Sequence, residues 1–335
     1  MQTRHWCKSM LAGCSALLLP VLLLPLLPLT AAAQAQSSYP NRPIRLIVPF
    51  PPGGGAEATA RVVAQKMSEG LGQPIVIESR AGAGGNIGTE AVARAVPDGY
   101  TLLFTTNGVT VAPHLQKLSW DPLKDLAPVS LVVTYPLVIA AHPSTPATNL
   151  RELIAYAKAN PGKLSYGSSG TGGPLHMGAE LFKNQTGIDL LHVPYKGNAP
   201  ATIAILSGEV NLTFDSQMGP APNIRSGKLR GLAVTGKRRS SVLPDVPTVL
   251  ETGVANFSYE AWNGITAPAG TPPEILQRLN AEAVRAVALP EVRERLSAMG
   301  YDPVSNSTAE FAALMQTDYQ RFGKLVKEIG MRAGE

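Results

Sequence analysis

The chain has 335 residues, enough for two ordinary domains, and 44% of them are hydrophobic. Its formal net charge of +5 is small and spread along the chain, and the basic run Lys237–Arg239 is typical of a solvated loop. Aromatic residues make up 6% and are scattered, which argues against a base-stacking platform, so we expect no nucleic-acid partner.

The first 35 residues have the pattern of an export signal. Arg4 and Lys8 give a positive start, Leu11–Leu29 is strongly apolar, and Ala33–Ala35 forms an A-x-A cleavage site. We therefore predict cleavage after about Ala35 and a periplasmic location. Two alternatives are a retained membrane anchor and lipidation at Cys14, although the lipoprotein-like box around Cys14 precedes the apolar core instead of following it.

Removal of this segment has two consequences for the mature chain. It takes away Arg4, Lys8 and no acidic residue, which lowers the formal net charge from +5 to +3. It also takes away Cys7 and Cys14, the two cysteines of the chain, so no disulfide is expected.

The stretch from Ile44 to Leu71 predicts a strand, a glycine turn and a helix. Ile44–Val48 is apolar and rich in β-branched residues, Pro51–Gly55 is a turn, and apolar residues then recur at helical spacing from Ala60 to Leu71. Free amides and the positive dipole end at the start of such a helix favour an anion. The alternative is a tight turn that binds nothing. No Gly-Lys-Ser/Thr follows, so a nucleoside triphosphate is disfavoured.

The next segments continue the alternation of strands and helices. Gln73–Ser79 and Tyr100–Thr105 are predicted strands, and between them Arg80–Thr89 is a glycine loop that leads into a helix over Glu90–Val96. This spacing predicts a parallel α/β sheet. A dinucleotide site at Gly82–Gly88 is the alternative, but the glycines miss G-x-G-x-x-G by one residue, and we expect no cofactor.

The second half of the chain repeats this organisation. Val129–Ala141, broken at Tyr135 and Pro136, is predicted to be two strands or one bent strand that crosses between domains. Asn149 is predicted to cap a helix that ends at Ala159. Further strands are predicted at Leu164–Gly167, Ile188–Val193, Val210–Phe214, Leu229–Thr235 and Ser258–Ala267, and further helices at Pro174–Asn184, up to Leu206, Pro272–Ala288, Glu291–Met299 and Thr308–Ile329.

A third loop, Ser168–Gly173, has hydroxyls and glycines between a strand and a helix. It could cradle a carboxylate as the first loop could, or its hydroxyls could only cap the helix from Pro174. A hydrolase would instead use Ser169 as nucleophile, His176 or His192 as base and Asp215 as orienter, but G-x-S-x-G is absent. The isolated histidines lack metal-ligand spacing, so we expect no metal.

Several ordered motifs resemble one known family. They are Pro49–Gly55, Gly82–Gly88, Pro97–Leu102, His192–Gly197, Leu232–Thr235, Pro244–Thr248 and Pro268–Pro272. Together they resemble the extracytoplasmic solute receptors of tripartite tricarboxylate transporters, also called Bug or TctC-type receptors, over nearly the whole mature chain.

This resemblance implies a type II periplasmic-binding-protein fold, with two α/β lobes that are joined by two crossover strands and close over a small organic anion. It places residues 36–137 and 259–335 in lobe 1 and residues 138–258 in lobe 2. It implies that mainly backbone groups and waters hold the ligand carboxylate. Carried over to this chain, the ligand-binding residues are Phe50, Gly53, Gly54, Ala56 and Glu57 facing Ser168, Ser169, Thr171 and Gly172, with Thr106, His176, Tyr195 and Asp215 as wall residues.

Two positions depart from the family pattern. Ala56-Glu57 stands where the family usually has Thr-Asp, so one hydroxyl is lost and a carboxylate moves outward by one methylene. Ser79 stands where Asn is common. The first change puts the second anchoring point of the ligand in question.

The resulting hypothesis is a monomeric receptor, without chemistry of its own, that captures a di- or tricarboxylate, an amino acid or an aromatic acid for membrane permease subunits. Two alternatives stay open on sequence grounds. One is an exported serine esterase that uses Ser169. The other is a sensing receptor of the same fold that signals to a membrane kinase.

Overall fold

The computed structural model describes residues 39–331, so the predicted export signal and its cleavage site lie outside the described residues. The strands are β1 (Ile44–Val48), β2 (Ile75–Ser79), β3 (Thr101–Thr106), β4 (Leu126–Pro136), β5 (Val138–Ala141), β6 (Ser165–Ser168), β7 (Leu191–Pro194), β8 (Leu212–Asp215), β9 (Arg230–Val234), β10 (Glu260–Pro268) and β11 (Asp302–Pro303). The helices are α1 (Gly55–Leu71), α2 (Asn86–Ala93), α3 (Gly108–Leu115), α4 (Leu150–Ala159), α5 (Pro174–Thr186), α6 (Asn198–Ser207), α7 (Pro220–Arg225), α8 (Pro273–Ala288), α9 (Pro290–Ala298) and α10 (Thr308–Ile329).

The strands form two sheets. The first has six strands in the order β11-β4-β10-β3-β1-β2, and the second has five in the order β7-β6-β8-β5-β9. In the first sheet β1 is parallel to β2 and β3, while β10 runs antiparallel between β3 and β4. In the second, β6 is parallel to both β7 and β8. The predicted strand–helix alternation therefore produces parallel strands in both halves.

The chain passes from one sheet to the other at Leu137. β4 ends at Pro136 in the first sheet, and β5 begins at Val138 in the second, so Val129–Ala141 contains two strands rather than one bent strand. The chain returns to the first sheet with β10, which starts at Glu260. Proline has no N–H to donate to a neighbouring strand, so Pro136 favours the end of β4 and the passage of the chain to the second sheet.

The helix after the first glycine turn packs as its spacing predicts. Ala60, Val63 and Met67 on α1 are all buried in the largest core, together with Ile44 and Leu46 of β1. By the usual transfer value, each fully buried Val, Leu, Ile or Met side chain contributes about 1.5–3 kcal/mol. This burial fixes where α1 begins, and so where its first amides point.

Local signals also fix the C-terminal helix. The Ser307 side chain accepts from the Glu310 N–H, and the Glu310 carboxylate accepts from the Ser307 N–H, which is a complete capping box at the start of α10. Along α10, Phe311 packs edge-on against Trp262, whose indole N–H donates to Asp318 at 2.6 Å.

Two helices escaped prediction. α3 begins with Gly108 and contains Pro113, and both residue types have low helix propensity. It is held because Val109, Val111 and Ala112 are buried against the cores. α7 is only six residues long and starts with Pro220. Within residues 39–331, no helix is both long and apolar enough to cross a bilayer.

Candidate ligand-binding cleft

A cleft lies where the carboxyl ends of strands from both sheets face each other, and about 590 Å³ is free of protein atoms there when the open solvent at its mouth is included. From the side of the first sheet its walls are Phe50, Pro51, Pro52, Gly54, Gly55, Ala56, Thr106, Tyr135 and Tyr301. From the side of the second sheet they are Ser169, Pro174, Leu175, Lys196, Gly197, Asn198, Ala199, Pro200 and Ser216. Ligands of open α/β sheets bind at such strand ends.

Three helix N-termini end at this cleft. α1, α5 and α6 begin at Gly55, Pro174 and Asn198, and all three of these residues line the cleft. Each helix has a glycine as its N-cap, at Gly54, Gly173 and Gly197, and none has a side-chain cap. The first N–H groups of each helix have no partner within the helix, so these three ends offer their donors to whatever occupies the cleft.

The donors of α1 illustrate the point. Its first internal hydrogen bond runs from the Ala58 N–H to the Gly54 carbonyl at 3.1 Å, so the N–H groups of Gly55 and Ala56 precede the ladder. A helix end favours an anion by about 0.3–1 kcal/mol when exposed and up to about 2 kcal/mol when partly buried. Three converging ends therefore make this cleft suited to a negatively charged ligand.

Among the described lining residues, Lys196 is the one with a charged side chain. It lies in the turn between β7 and α6 and is exposed. The positive character of the cleft therefore comes mainly from backbone dipoles, and Lys196 adds a cation near its edge.

Glu57 binds the Gly53 N–H, a donor that the sequence predicted would bind the ligand. Its Oε2 accepts from the Gly53 N–H at 2.6 Å, and its Oε1 pairs with Arg61. The Gly53 hydrogen bond, followed by Arg61, holds the pKa of the Glu57 carboxyl below its usual range. Neither Gly53 nor Glu57 lines the cleft, so this pair stabilises the turn from behind. Gly53 has a φ of +84°, which requires glycine there.

Two tyrosines form the floor between the sheets. Tyr135 and Tyr301 stack edge to face, with ring centroids 4.9 Å apart. The Tyr301 hydroxyl lies against the backbone of Gly55, where the Ser216 hydroxyl also approaches. Burial raises the pKa of Tyr301 to about 12 and raises the pKa of Tyr135 well above its usual value, so both are neutral. Tyr301 thus links the first turn of α1 to the end of β8.

The predicted ligand contacts of the Ser168–Gly173 loop do not all lie at the cleft. Ser169 lines the cleft. The Ser168 hydroxyl instead lies 2.6 Å from Nε2 of His192, and Ser168 does not line the cleft. His176 accepts from the Gly172 N–H through Nδ1 at 2.9 Å and stacks on His192, with centroids 3.8 Å apart. Burial lowers the pKa of both histidines to about 3, so they are neutral and serve as supports for the loop.

Thr171 and Gly172 line a neighbouring cavity instead. They share it with Ala83, Gly84 and Asn86 of the second glycine loop. Thr106 lies beside both regions: it lines the cleft, and its Oγ1 accepts from the Gly108 N–H at 3.2 Å. The three glycine loops that the sequence singled out therefore lie close together, around two cavities.

The remaining predicted wall residues lie behind the cleft. Tyr195 donates its hydroxyl to Glu209 at 2.8 Å, and the Asp215 carboxylate accepts from the Asn198 amide at 2.7 Å. Of the thirteen predicted site residues, the structure therefore brings Phe50, Gly54, Ala56, Thr106 and Ser169 into the cleft, while Gly53, Glu57, Ser168, Thr171, Gly172, His176, Tyr195 and Asp215 support or flank it.

The groups that a serine hydrolase would need are engaged elsewhere. His192 contacts Ser168 rather than Ser169, and His176 is occupied by the Gly172 amide. Asp215 contacts Asn198 and Ser216 rather than a histidine. Within residues 39–331, no three His, Cys, Asp or Glu side chains are grouped as a metal site.

Sequence reasoning missed the third helix end. Gly197 ends the His192–Gly197 motif that contributed to the family resemblance, and Asn198 directly follows it, so the sequence does carry a signal for this helix end. Tyr301 and Ser216 carried no local signal, because they reach the cleft through packing between distant segments.

Comparison with known proteins identifies the family. Residues 59–331 match the model of the tripartite tricarboxylate transporter family receptors, TctC. The solved structure of the periplasmic binding protein BugD is 35% identical, with a TM-score of 0.82, over 88% of this chain and 100% of that one.

Two further solved structures contain acids. Rpa4515 of R. palustris, with adipate, is 34% identical with a TM-score of 0.83 over 88% of this chain and 99% of that one. MatC of Rhodopseudomonas palustris, with bound malate, is 33% identical with a TM-score of 0.81 over 86% of this chain and 100% of that one. The chain belongs to the TctC family of tripartite tricarboxylate transporter receptors, and it has the two-lobed α/β fold of the type II periplasmic binding proteins.

Proposed function

We propose that the protein is a periplasmic receptor that captures a small carboxylated metabolite and delivers it to the permease of a tripartite tricarboxylate-type transporter. The observation that carries this proposal is the convergence of three uncapped helix N-termini on one cleft. Adipate and malate in two related structures support a carboxylate as the ligand class. The family to which the chain belongs supports the transporter as the partner.

The proposed ligand site comprises the cleft-lining residues of both sheets, and the predicted residues behind them act as its supports. We further propose residues 36–137 and 259–335 as one lobe and residues 138–258 as the other. Ligand then bridges the amides of α1 on one lobe and those of α5 and α6 on the other. A ligand with higher affinity for the closed state draws the lobes together. The protein acts as a monomer, without cofactor or catalytic step.

A thermal-shift screen tests the ligand class. Adipate, malate, other di- and tricarboxylates, amino acids and aromatic acids are added in excess to the mature protein. A hundredfold excess over Kd stabilises the native state by about 2.7 kcal/mol, which corresponds to a rise in Tm of about 5 °C for a chain of this size. The proposal is wrong if no carboxylate in the set raises Tm.

A substitution at the N-cap of α1 tests the donors themselves. A Cβ on Gly54 would have nothing closer than a carbonyl at 3.8 Å, and its φ of −85° suits any residue. In Gly54→Asp the new carboxylate caps α1 and competes with the ligand for the same amides. We expect an unchanged or raised Tm without ligand and loss of the ligand-induced shift.

Gly54→Ala is the matched control, because alanine adds the Cβ but cannot cap. It should retain the shift. Equal binding by the aspartate and alanine variants would mean that the α1 amides do not hold the ligand. Small-angle scattering with and without the bound acid tests lobe closure, with a smaller radius of gyration expected on binding. Light scattering tests the monomer, and co-purification with the permease subunits tests the transporter partnership.

A further inference from the structure

Asp215 is a buried carboxyl group at the end of β8, directly behind the cleft. It is 3% exposed, and its Oδ1 accepts from Asn198 Nδ2 at 2.7 Å and from the Ser216 hydroxyl at 3.3 Å. Asn198 and Ser216 both line the cleft. Asp215 is therefore separated from a bound ligand by a single layer of side chains.

No cation compensates this carboxyl among the described residues. Burial raises its pKa to about 7, and only hydrogen bonds from Ser216 and Asn198 oppose the shift. The tyrosines that face it, Tyr135 from β4 and Tyr301 after α9, are neutral. The Asp215 carboxyl therefore gains or loses its proton near neutral pH.

The charged groups on the other elements around β8 are paired elsewhere or lie at the surface. On α5, Glu180 accepts from both Tyr166 and Lys183. On α7, Arg225 donates to the Val242 carbonyl at the surface. In the β7–α6 turn, Lys196 is exposed at the edge of the cleft. A second negative charge placed in the cleft would therefore meet Asp215 without a buried cation between them.

We propose that Asp215 is a positioning residue that holds Asn198 and Ser216 toward the ligand and becomes protonated when a carboxylate binds. This inference rests on the proposed function. An ionised Asp215 would repel an anionic ligand through the low-dielectric layer that separates them, and protonation removes this repulsion while the carboxyl keeps acceptor capacity for Asn198. Capture of the acid thus takes up a proton and weakens as pH rises through neutrality.

Isothermal titration at pH 6.5 and 8.5 tests the proposal, with adipate or malate as the probe, whichever gives the larger thermal shift. Both acids keep their carboxylates ionised throughout this range. We expect wild-type affinity to fall about tenfold from the lower to the higher pH. Repeating the titrations in two buffers of different ionisation enthalpy should reveal uptake of up to about one proton near pH 8.

Asp215→Asn is permanently neutral, and its amide oxygen can still accept from Asn198. It should bind equally well at both pH values and take up no proton, whereas a merely structural role would leave the pH profile unchanged. Asp245→Asn, at an exposed position, is the matched control and should keep the wild-type profile.

A pH-independent wild-type affinity, or an unaltered profile in the Asp215 variant, overturns the inference and leaves the proposed function standing. Absence of binding by every carboxylate of the thermal-shift set, at both pH values, overturns the proposed function and the inference together. If the variant does not fold, as judged by circular dichroism, the buffer dependence of proton uptake by the wild-type protein decides.

Discussion

The contact between Gly55 and Tyr301 gives a quantitative test of how the first turn of α1 is placed. A Cβ on Gly55 would lie 2.1 Å from the Tyr301 hydroxyl oxygen, whereas real Cβ atoms essentially never come closer than 3.0 Å to a neighbour. Tyr301 is 3% exposed and stacks on Tyr135, so its ring has little room to withdraw. Gly55→Ala must therefore displace either the hydroxyl or the start of α1 by about 1 Å.

The expected cost follows from this displacement. Overpacking by one methyl group in a well-packed core costs typically about 1–3 kcal/mol. In a chain of this size, each kcal/mol lowers Tm by about 2 °C, so we expect Gly55→Ala to melt about 2–6 °C below wild type. Ligand-induced stabilisation should fall as well, because the displaced amides belong to residues that line the cleft.

A double-mutant cycle isolates the hydroxyl as the cause. In a Tyr301→Phe background the 2.1 Å contact disappears, and the next atom, Cζ, lies at an ordinary 3.4 Å. Gly55→Ala should then cost less than about 1 kcal/mol, which gives a coupling energy of about 1–2 kcal/mol. Urea denaturation of the four proteins measures the cycle. Gly54→Ala, with clear space around its Cβ, is the control and should be nearly neutral.

The steric explanation would be refuted if Gly55→Ala cost the same in both backgrounds. It would also be refuted if Gly54→Ala were as damaging, because a general intolerance of the turn to side chains would then account for both losses.

Three further changes have definite expected outcomes. Glu57→Gln should lower the free energy of unfolding at pH 7 by about 1–2 kcal/mol, since it weakens the hydrogen bonds to Gly53 and Arg61. The folded-state pKa of Glu57 is depressed, so the stability advantage of wild type over this variant should decrease and then vanish as pH falls below about 4.5. Tyr259→Phe should cost about 2–4 kcal/mol in urea denaturation, because its buried hydroxyl accepts from Asn107 at 3.0 Å and donates to a carbonyl of α5 at 2.7 Å. Asp215→Asn should become more stable relative to wild type as pH rises from about 4 to 7, by at most about 1.4 kcal/mol per unit, because the folded protein holds a proton that the unfolded chain has already lost.

Matched controls separate these effects from general charge changes. Glu69→Gln removes an exposed carboxylate of the same helix and should alter stability by less than about 0.5 kcal/mol. Asp245→Asn serves the same purpose for Asp215. A melting curve for Glu57→Gln that tracks wild type from pH 7 to pH 3 would contradict the capping role. If Tyr259→Phe did not change the free energy of unfolding, its two hydrogen-bond partners would have to be satisfied by water. A Tm difference between Asp215→Asn and wild type that does not change with pH would contradict burial of a titrating carboxyl.

Elements whose ends are encoded locally were predictable from the sequence. The predicted helix Thr308–Ile329 has the observed bounds of α10, because its capping box is a contact over three residues. Asn149 caps α4 by accepting from the Glu152 N–H at 3.0 Å, as predicted. The glycine turns were recognisable for the same reason. In contrast, α3 depends on burial between distant segments, which its own sequence does not record.

The site was only partly predictable, because non-local pairing decides which way a polar side chain turns. Ser168 and Ser169 look equivalent in sequence, but His192 binds the first of them and leaves the second in the cleft. Glu57, expected at the ligand, bonds back to the turn that precedes it. Tyr301 enters from the far end of the chain. Backbone donors could be proposed as a type of site from the sequence, since glycines mark them, whereas the side chains around them depend on tertiary contacts.

The uncapped glycines at Gly54, Gly173 and Gly197 also bear on how the specificity of this receptor can change during evolution. Peptide donors persist through nearly every substitution, so the carboxylate site that we propose would survive sequence drift, and an alanine scan would largely overlook it. Selectivity among acids is left to the side chains that close the space around them, such as Leu175 and Ala199. Receptors with this arrangement can acquire new nutrients by exchanging peripheral residues while the anchor stays constant.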